Sequence, residues 1–232
     1  FAIIGHLTDT GRMVLHFHDE IVADLPIDPL AEAAPEYDRP WVRTPTLPTI
    51  AASTITEVDP VAALLKLMHC PDVASRRWIW EQYDHMVGTD TAARLGGDAA
   101  VVRLHGSNRG LAMTTDCTPR YVQADPQQGG RQAVAEAWRN LTAVGALPLA
   151  VTDNMNFGNP ERPEIMGQFV GAIEGMREAC LTLDFPVISG NVSLYNETEG
   201  KAILPTPAIG AVGLIKDLSK IVSVAPPKSG LT

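Results

Sequence analysis

The sequence is poor in cysteine, in basic residues and in long apolar runs, and each shortage excludes a class of protein. Its three cysteines, Cys70, Cys117 and Cys180, are odd in number and widely spaced, so they indicate reduced thiols and neither a disulfide framework nor a zinc site. Lysine and arginine number 18 against 27 acidic residues, with no basic run. We therefore expect a cytoplasmic protein without a nucleic-acid partner.

Membrane segments and the common nucleotide motifs are also missing. No apolar segment approaches the roughly 20 residues of a membrane span, and no signal peptide is visible, so we expect no membrane association. The patterns G-x-x-x-x-G-K-[ST], G-x-G-x-x-G after a strand and G-x-S-x-G are absent, which excludes a P-loop, a dinucleotide fold and a nucleophile elbow. What remains is a chain of 232 residues that is 45% hydrophobic and 19% charged, a globular composition with net charge −9.

Two short apolar runs end in polar side chains. Residues 147–151 (LPLAV) lead into a stretch that contains Asp153, and residues 185–188 (FPVI) lead into Ser189-Gly190-Asn191. One segment of helical length separates the two stretches. If the two strands are parallel neighbours, the polar turns predicted to follow them emerge at the same edge of a sheet and form one site.

The residue types at this edge suit a nucleotide bridged by a metal ion. Glycine at 190 allows close approach of a phosphate, the Asn191 carbonyl can bind Mg²⁺, and the Ser193 hydroxyl can donate to a phosphate oxygen. Asp153 is expected beside Asn191 as a further hard oxygen donor. Because Mg²⁺ usually takes few protein ligands together with substrate phosphates, this set favours a bridged nucleotide over a metal cage. An ordinary Gly-Asn turn is the structural alternative.

The remaining pattern predicts an α+β domain with a mixed β-sheet and helices on one face. The apolar periodicity gives helices and strands in the order ββαβαβ, followed by one more strand. Their predicted ranges are strands 99–104, 110–115, 147–151, 185–188 and 203–215, and helices 129–146 and 164–183.

Four segments are predicted along the chain. Residues 1–30 read as a β-hairpin, with strands at 2–7 and 13–17, left from a preceding domain. Residues 31–75 form a Pro-rich linker, which crosses a surface or is disordered, and a short helix at 61–69. The main domain covers 76–217, beginning with a helix at 75–82, and 218–232 begins a further domain. Since the chain starts at Phe1, we expect it to be part of a longer protein.

Three strings identify a family. WEQYDHMV, DNMNFGNPERPEIMGQF and SGNVSLYNETEGKAILPTP, in this order, resemble the large synthetase subunit (subunit II) of phosphoribosylformylglycinamidine synthase, from about Trp78 to Ile215. The resemblance implies an aminoimidazole-ribonucleotide-synthetase-like N-terminal domain. It also implies a subunit with two homologous halves, of which this chain is similar to the middle.

The resemblance implies an ATP-dependent ligase of purine biosynthesis. ATP activates the amide oxygen of formylglycinamide ribonucleotide, and ammonia then gives the amidine. The ammonia comes from glutamine through a glutaminase subunit, and a small accessory subunit completes the complex. Transferred to this sequence, the ATP contacts are Asp153 and Gly190, the Mg²⁺ contact is Asn191, and a substrate contact is Ser193.

The resemblance also limits what the chain is expected to do alone. The family's proposed catalytic histidine lies in the first half, so no catalytic residue is assigned here, and His85 is given no catalytic role. Alone, the chain is expected to be inactive and at most a weak nucleotide binder. In the family this domain closes a barrel with its homologue, so an open sheet edge predicts a homodimer.

Two other functions are compatible with the residues. The first is another enzyme of the aminoimidazole ribonucleotide synthetase superfamily. The second is a non-catalytic assembly module, which predicts no nucleotide binding and no effect of changing Asp153 or Asn191.

Overall fold

The computed structural model describes residues 1–225, and the chain divides between Arg39 and Pro40 into two compact units. The predicted further domain at 218–232 lies partly outside the described residues, at 226–232. Within the described part of the chain, no helix is both long and apolar enough to cross a membrane.

The first unit contains a β-hairpin, shifted along the chain from its predicted position. Strands β1 (Arg12–Phe17) and β2 (Glu20–Pro26) pair antiparallel, and helix α1 (Ile27–Glu32) follows. The predicted strand at 2–7 is wrong, because the partner of β1 comes after it. The two turn residues, His18 and Asp19, have φ angles of 46° and 65°, and positive φ at both positions matches the twist of a two-residue hairpin.

A six-stranded mixed sheet forms the centre of the second unit. The strands of this unit are β3 (Thr91–Ala93), β4 (Ala100–Arg103), β5 (Gly110–Asp116), β6 (Leu147–Asn156), β7 (Val187–Ser193), β8 (Glu197–Thr198), β9 (Lys201–Ala202) and β10 (Thr206–Ile215). The strand order of the sheet is β3-β4-β5-β10-β6-β7, in which β6 and β7 are parallel and all other neighbours are antiparallel. A two-stranded ribbon, β8 with β9, is separate.

The two long helices pack on one face of this sheet, which confirms the predicted α+β class. Along β10 every second residue is buried, so one face of the strand lies under the helices and the other stays partly open. Helix α5 (Pro126–Ala143) begins with Pro126, and the Asp125 side chain before it accepts a hydrogen bond from the backbone N–H of Gln128. The helices of this unit are α2 (Pro60–Met68), α3 (Arg77–Trp80), α4 (Pro119–Ala124), α5 (Pro126–Ala143) and α6 (Pro163–Leu183).

Helix α2 matches the predicted helix at 61–69, whereas α3 is shorter than the helix predicted at 75–82. Part of the Pro-rich segment lies against α6. The Val42 amide donates to the Pro163 carbonyl at 3.0 Å, and a Cβ added to Gly167 would lie 1.7 Å from the Val42 carbonyl oxygen. At this point the segment crosses a surface, the first of its two predicted alternatives.

The strands β6 and β7 are longer than predicted. They continue through Asn156 and Ser193, so the polar residues that were expected in turns lie inside strands. The prediction of a polar turn at these positions is therefore wrong. Asparagine and glycine are poor strand formers, but here the side chains find partners across the strand pair, and packing between neighbours decides strand formation.

Candidate functional site

The parallel pair β6/β7 brings the predicted site residues into register. Asp153 is opposite Gly190, Asn154 is opposite Asn191, and Asn156 is opposite Ser193. The two stretches form parallel neighbouring strands, which is the condition under which the sequence predicted one shared site. Successive side chains on a strand point to opposite faces, so the paired residues alternate between the helix face and the open face of the sheet.

Asp153 and Gly190 lie on the helix face. Asp153 is paired with the buried Ile209 of β10, and its neighbours two positions away, Val151 and Met155, are buried under the helices. A Cβ added to Gly190 would lie 2.8 Å from Oδ1 and 2.9 Å from Oδ2 of Asp153. The Asp153 carboxylate therefore lies directly over Gly190 and occupies the space that a side chain would fill.

The Asp153 carboxylate is partly buried without a cation to balance it. Burial raises its pKa above the ordinary value, and within residues 1–225 no lysine or arginine forms an ion pair with it. Burial also raises the pKa of the Cys180 thiol on α6, with a further contribution from the negative charge of Asp153. A partly desolvated, unpaired carboxylate is stabilised when a ligand donates a hydrogen bond to it.

Asn191 lies on the opposite, open face. Its Nδ2 donates to Oδ1 of Asn154 at 3.1 Å, and two residues earlier Ser189 Oγ lies 2.8 Å from Thr152 Oγ1. Asp153 and Asn191 are therefore neighbours along the strand pair with side chains on different faces. The sequence placed them side by side because a turn, unlike a strand, imposes no alternation.

Ser193 is held at the end of the strand pair by Asn196. The Ser193 hydroxyl donates to Asn196 Oδ1 at 3.3 Å, and Asn196 Nδ2 donates to the carbonyl oxygens of Ser193 at 2.8 Å and Phe157 at 3.1 Å. The backbone amide of Asn196 also donates to Phe157 O at 3.1 Å. Asn196 thus joins the ends of β6 and β7 beside a predicted substrate contact.

Sequence reasoning assigned no role to Asn154 and Asn196. A signal for Asn154 was present: polar residues recur at every second position in both strands, as expected for one face of a strand pair. Those residues are Thr152, Asn154 and Asn156 in β6, and Ser189, Asn191 and Ser193 in β7.

Asn159 lies in the loop after β6 and is held there by hydrogen bonds. The backbone N–H of Asn159 donates to Glu197 Oε1 at 3.1 Å, and its side-chain Oδ1 accepts from the backbone N–H of Glu161 at 2.8 Å. Glu197 also forms an ion pair with Arg162, so Asn159 belongs to a structural cluster.

A second acidic group lies in the same row of the sheet. Asp116 of β5 is opposite Ile209, which is opposite Asp153. Asp116 accepts hydrogen bonds from Thr114 Oγ1 at 2.9 Å and Asn140 Nδ2 at 2.8 Å, while burial raises its pKa. Burial, with the negative charge of Asp116, also raises the pKa of Glu136 on α5. The hydrogen bonds identify Asp116 as a structural carboxylate between sheet and helix.

The described residues contain no group of three or more histidine, cysteine or carboxylate side chains able to hold a metal ion. The donor chemistry fits an ion held in part by phosphates, because Asn191 Nδ2 is bonded while its amide oxygen has no hydrogen-bond partner among residues 1–225. His85, given no catalytic role, lines a separate pocket with Trp80, Tyr83 and Arg94.

Comparisons with known proteins agree with this fold. The family model for "AIR synthase related protein, N-terminal domain" matches residues 96–215. Subunit PurL of phosphoribosylformylglycinamidine synthase from Rhodospirillum rubrum is 69% identical over 226 residues, covering 97% of this chain and 30% of the relative. The subunit PurL of Granulibacter bethesdensis is 66% identical, covering 93% of this chain and 30% of its own length.

Solved structures of Thermotoga maritima proteins are also similar. The structure of PurLQS is 32% identical with a TM-score of 0.72, covering 95% of this chain and 34% of that one. PurL complexed with ATP is 30% identical with a TM-score of 0.68, covering 93% and 33%, and PurL complexed with FGAR is 32% identical with a TM-score of 0.67, covering 94% and 32%.

The chain thus spans about a third of the length of the proteins it matches. The family match covers just over half of the 232 residues and contains five of the six strands of the mixed sheet, all but β3, together with the two long helices. The chain belongs to the AIR synthase related protein family, contains that family's N-terminal domain, and within the family is similar to phosphoribosylformylglycinamidine synthase subunit PurL.

Proposed function

We propose that this chain is part of the ATP-dependent ligase that converts formylglycinamide ribonucleotide and ammonia to formylglycinamidine ribonucleotide, ADP and phosphate. The observation that carries the proposal is the 69% identity to a PurL subunit over 97% of this chain. The names of the T. maritima structures, PurL complexed with ATP and with FGAR, support the same nucleotide and substrate.

In this proposal the β6/β7 strand pair contacts both ligands, and because Asp153 and Asn191 lie on opposite faces, the metal-nucleotide complex reaches both around β7, the edge strand among the described strands. The unpaired Asp153 carboxylate accepts hydrogen bonds from the nucleotide, and Gly190 leaves room for that carboxylate. The Asn191 oxygen contributes one ligand to Mg²⁺, and Ser193 contacts the ribonucleotide. Bound Mg²⁺ would neutralise the charge that develops on the transferred phosphate.

The partners in this proposal are a glutaminase subunit, which supplies ammonia from glutamine, and a small accessory subunit. The name PurLQS of a similar structure is consistent with such an assembly. A cytoplasmic location agrees with three free cysteines, since a reducing compartment keeps thiols unpaired. Alone, we expect the chain to form a homodimer through its open sheet and to be inactive.

The proposal is tested in the full natural protein that carries this sequence, assembled with its partner subunits. We expect glutamine-dependent amidine formation, and we expect Asp153→Ala and Asn191→Ala each to lower it by about tenfold or more, since each removes a ligand contact. Calorimetry with Mg²⁺-ATP should show weaker binding in both variants. If amidine formation and nucleotide binding are unchanged in both variants, the assignment of the site to this strand pair is wrong and the assembly module is favoured.

A further inference from the structure

The amide of Asn191 has a partner on the neighbouring strand that no motif assigned. Asn154 is opposite Asn191 in the parallel ladder, and its Oδ1 accepts from Asn191 Nδ2 at 3.1 Å. Both side chains are exposed on the open face of the sheet. Among the described residues, this is the one hydrogen bond made by the Asn191 side chain.

This bond determines which end of the amide faces a ligand. The terminal torsion of asparagine is broad and roughly two-fold, so an unpartnered Asn presents its oxygen or its NH₂ group with little preference. In the structure Asn154 presents its Oδ1 to β7, and opposite that acceptor Asn191 turns Nδ2 toward β6. The Asn191 oxygen is then directed away from Asn154, as a cation ligand must be.

The two strands are not equivalent. Strand β6 is paired on both sides, with β10 and β7, whereas β7 has β6 as its one neighbour among the described strands. The Asn154 backbone is fixed further by Asn156 Nδ2, which donates to the Asn154 carbonyl at 2.9 Å. The acceptor residue Asn154 therefore lies on an internal strand with a fixed backbone, and Asn191, which donates to it, lies on the edge strand.

We propose that Asn154 is a positioning residue that orients the Asn191 amide so that its oxygen binds a divalent cation. The inference rests on the proposed function, in which Asn191 contacts the metal ion of a metal-nucleotide complex. Asn154 itself contacts neither ion nor nucleotide. Its effect passes entirely through Asn191.

The chain contains a matched control for this proposal. Thr152 and Ser189 form the same kind of hydrogen bond, at 2.8 Å, between the same strands, on the same face and two residues away. If these contacts only stabilise the strand pair, loss of either has the same consequence. If Asn154 positions a ligand, Asn154→Ala weakens metal binding and Thr152→Ala does not.

The test measures Mn²⁺ affinity by electron paramagnetic resonance, in the presence of ATP, in the full natural protein that carries this sequence. Asn191→Ala first identifies the Mn²⁺ signal that belongs to this site. We expect Asn154→Ala to weaken that binding about three- to tenfold, the range that one neutral hydrogen bond supports. Asn154→Asp keeps an acceptor oxygen in the same place and should restore the affinity, while Thr152→Ala should leave it unchanged.

The outcomes separate the two claims. If Asn191→Ala leaves Mn²⁺ binding unchanged, the proposed metal contact is wrong and the positioning role falls with it. If Asn191→Ala weakens binding and Asn154→Ala does not, the metal contact stands and the positioning role is overturned. Equal losses in Asn154→Ala and Thr152→Ala, or no rescue by Asn154→Asp, would also overturn it, because the bond would then serve only the strand pair.

Discussion

At the scale of single residues, the Asp153 carboxylate fits in its position because residue 190 is a glycine and has no side chain. The carboxylate occupies the volume above Gly190, where an added Cβ would approach both oxygens to less than 3.0 Å. Because the backbones on both sides are fixed by the ladder, relief of this contact requires the carboxylate to move. Glycine at 190 is therefore explained by its partner on β6, independently of any close approach by a phosphate.

Gly190→Ala should destabilise the chain by about 1–3 kcal/mol through this overlap and weaken nucleotide binding. The control is the same substitution in an Asp153→Ala background. There the space is free, and the alanine should be neutral or slightly stabilising because glycine inside a strand costs conformational entropy. Urea unfolding of the four proteins gives the coupling free energy. Equal costs in both backgrounds would contradict the assignment.

Asp116 should make stability depend on pH. Burial raises the pKa of its carboxyl above the ordinary value of 3.8, against the opposing effect of its hydrogen bonds from Thr114 and Asn140. The folded chain therefore holds this proton at a pH at which the unfolded chain has lost it. Since the unfolded state binds fewer protons, this group lowers stability as pH rises through the raised pKa.

Asp116→Asn removes this titration. The free energy of unfolding of the variant, relative to that of the unaltered chain, should increase as pH rises from the unfolded-state pKa of 3.8 through the raised pKa of the folded state. Glu136 adds to the effect with the same sign, since its pKa is raised in part by the charge of Asp116. Urea unfolding across this pH range tests the prediction, and a difference that is constant with pH would contradict it.

At the level of elements, α5 and α6 touch backbone to backbone. A Cβ added to Gly175 would lie 1.9 Å from the Gln127 carbonyl oxygen, and one added to Gly130 would lie 2.3 Å from the Ala172 carbonyl oxygen. Backbone atoms cannot rotate away, so a side chain at either position separates the helices. The glycines therefore allow the two helices to pack close together as one layer above the strands.

Gly175→Ala should therefore destabilise the chain by about 1–3 kcal/mol or more, although alanine is the better helix former by about 1 kcal/mol. Gly171→Ala is the matched control in the same helix, because its nearest neighbour, Pro126 Cβ, lies at 3.0 Å and not at 1.9 Å. There the higher helix propensity of alanine should offset most of the contact. Thermal unfolding that ranks the two variants equally would contradict a backbone contact at Gly175.

At the level of the whole molecule, no helix within residues 1–225 packs over one face of the sheet. The two long helices cover the other face, and on the open face Met113 is 41% exposed and Ile188 is 68% exposed. These two residues line a shallow groove together with Thr152 and Val212. An uncovered apolar sheet face and an open strand edge both favour association.

We expect the isolated chain to sediment as a homodimer and Met113→Lys to sediment as a monomer with an unchanged urea midpoint. The lysine places a charge in the groove, where association would bury it, but leaves it solvated in a monomer. Sedimentation velocity over a range of protein concentrations tests this. A monomer in the unaltered chain, or a dimer that tolerates the lysine, would contradict association through this face.

The sequence predicted the long helices well and the strand ends poorly. The apolar spacing of α6 is a local property, and the helix spans 163–183 where 164–183 was predicted. The predicted strands at 147–151 and 185–188 were truncated because Asp153, Asn154, Gly190 and Asn191 read as turn residues. These residues extend the strands because each has a partner on a strand more than 30 positions away.

By itself the sequence determined the composition class, the family strings and the two long helices, the first predicted at 129–146 and found at 126–143. Each follows from local periodicity or from a linear motif. Only the tertiary structure decided that the side chains of Asp153 and Asn191 lie on different faces of the sheet. It alone also placed Asn154 where it orients Asn191, and the Asp153 carboxylate in the space above Gly190. The reason is that the face of a strand residue depends on register, and register is fixed by pairing with distant strands and burial under helices.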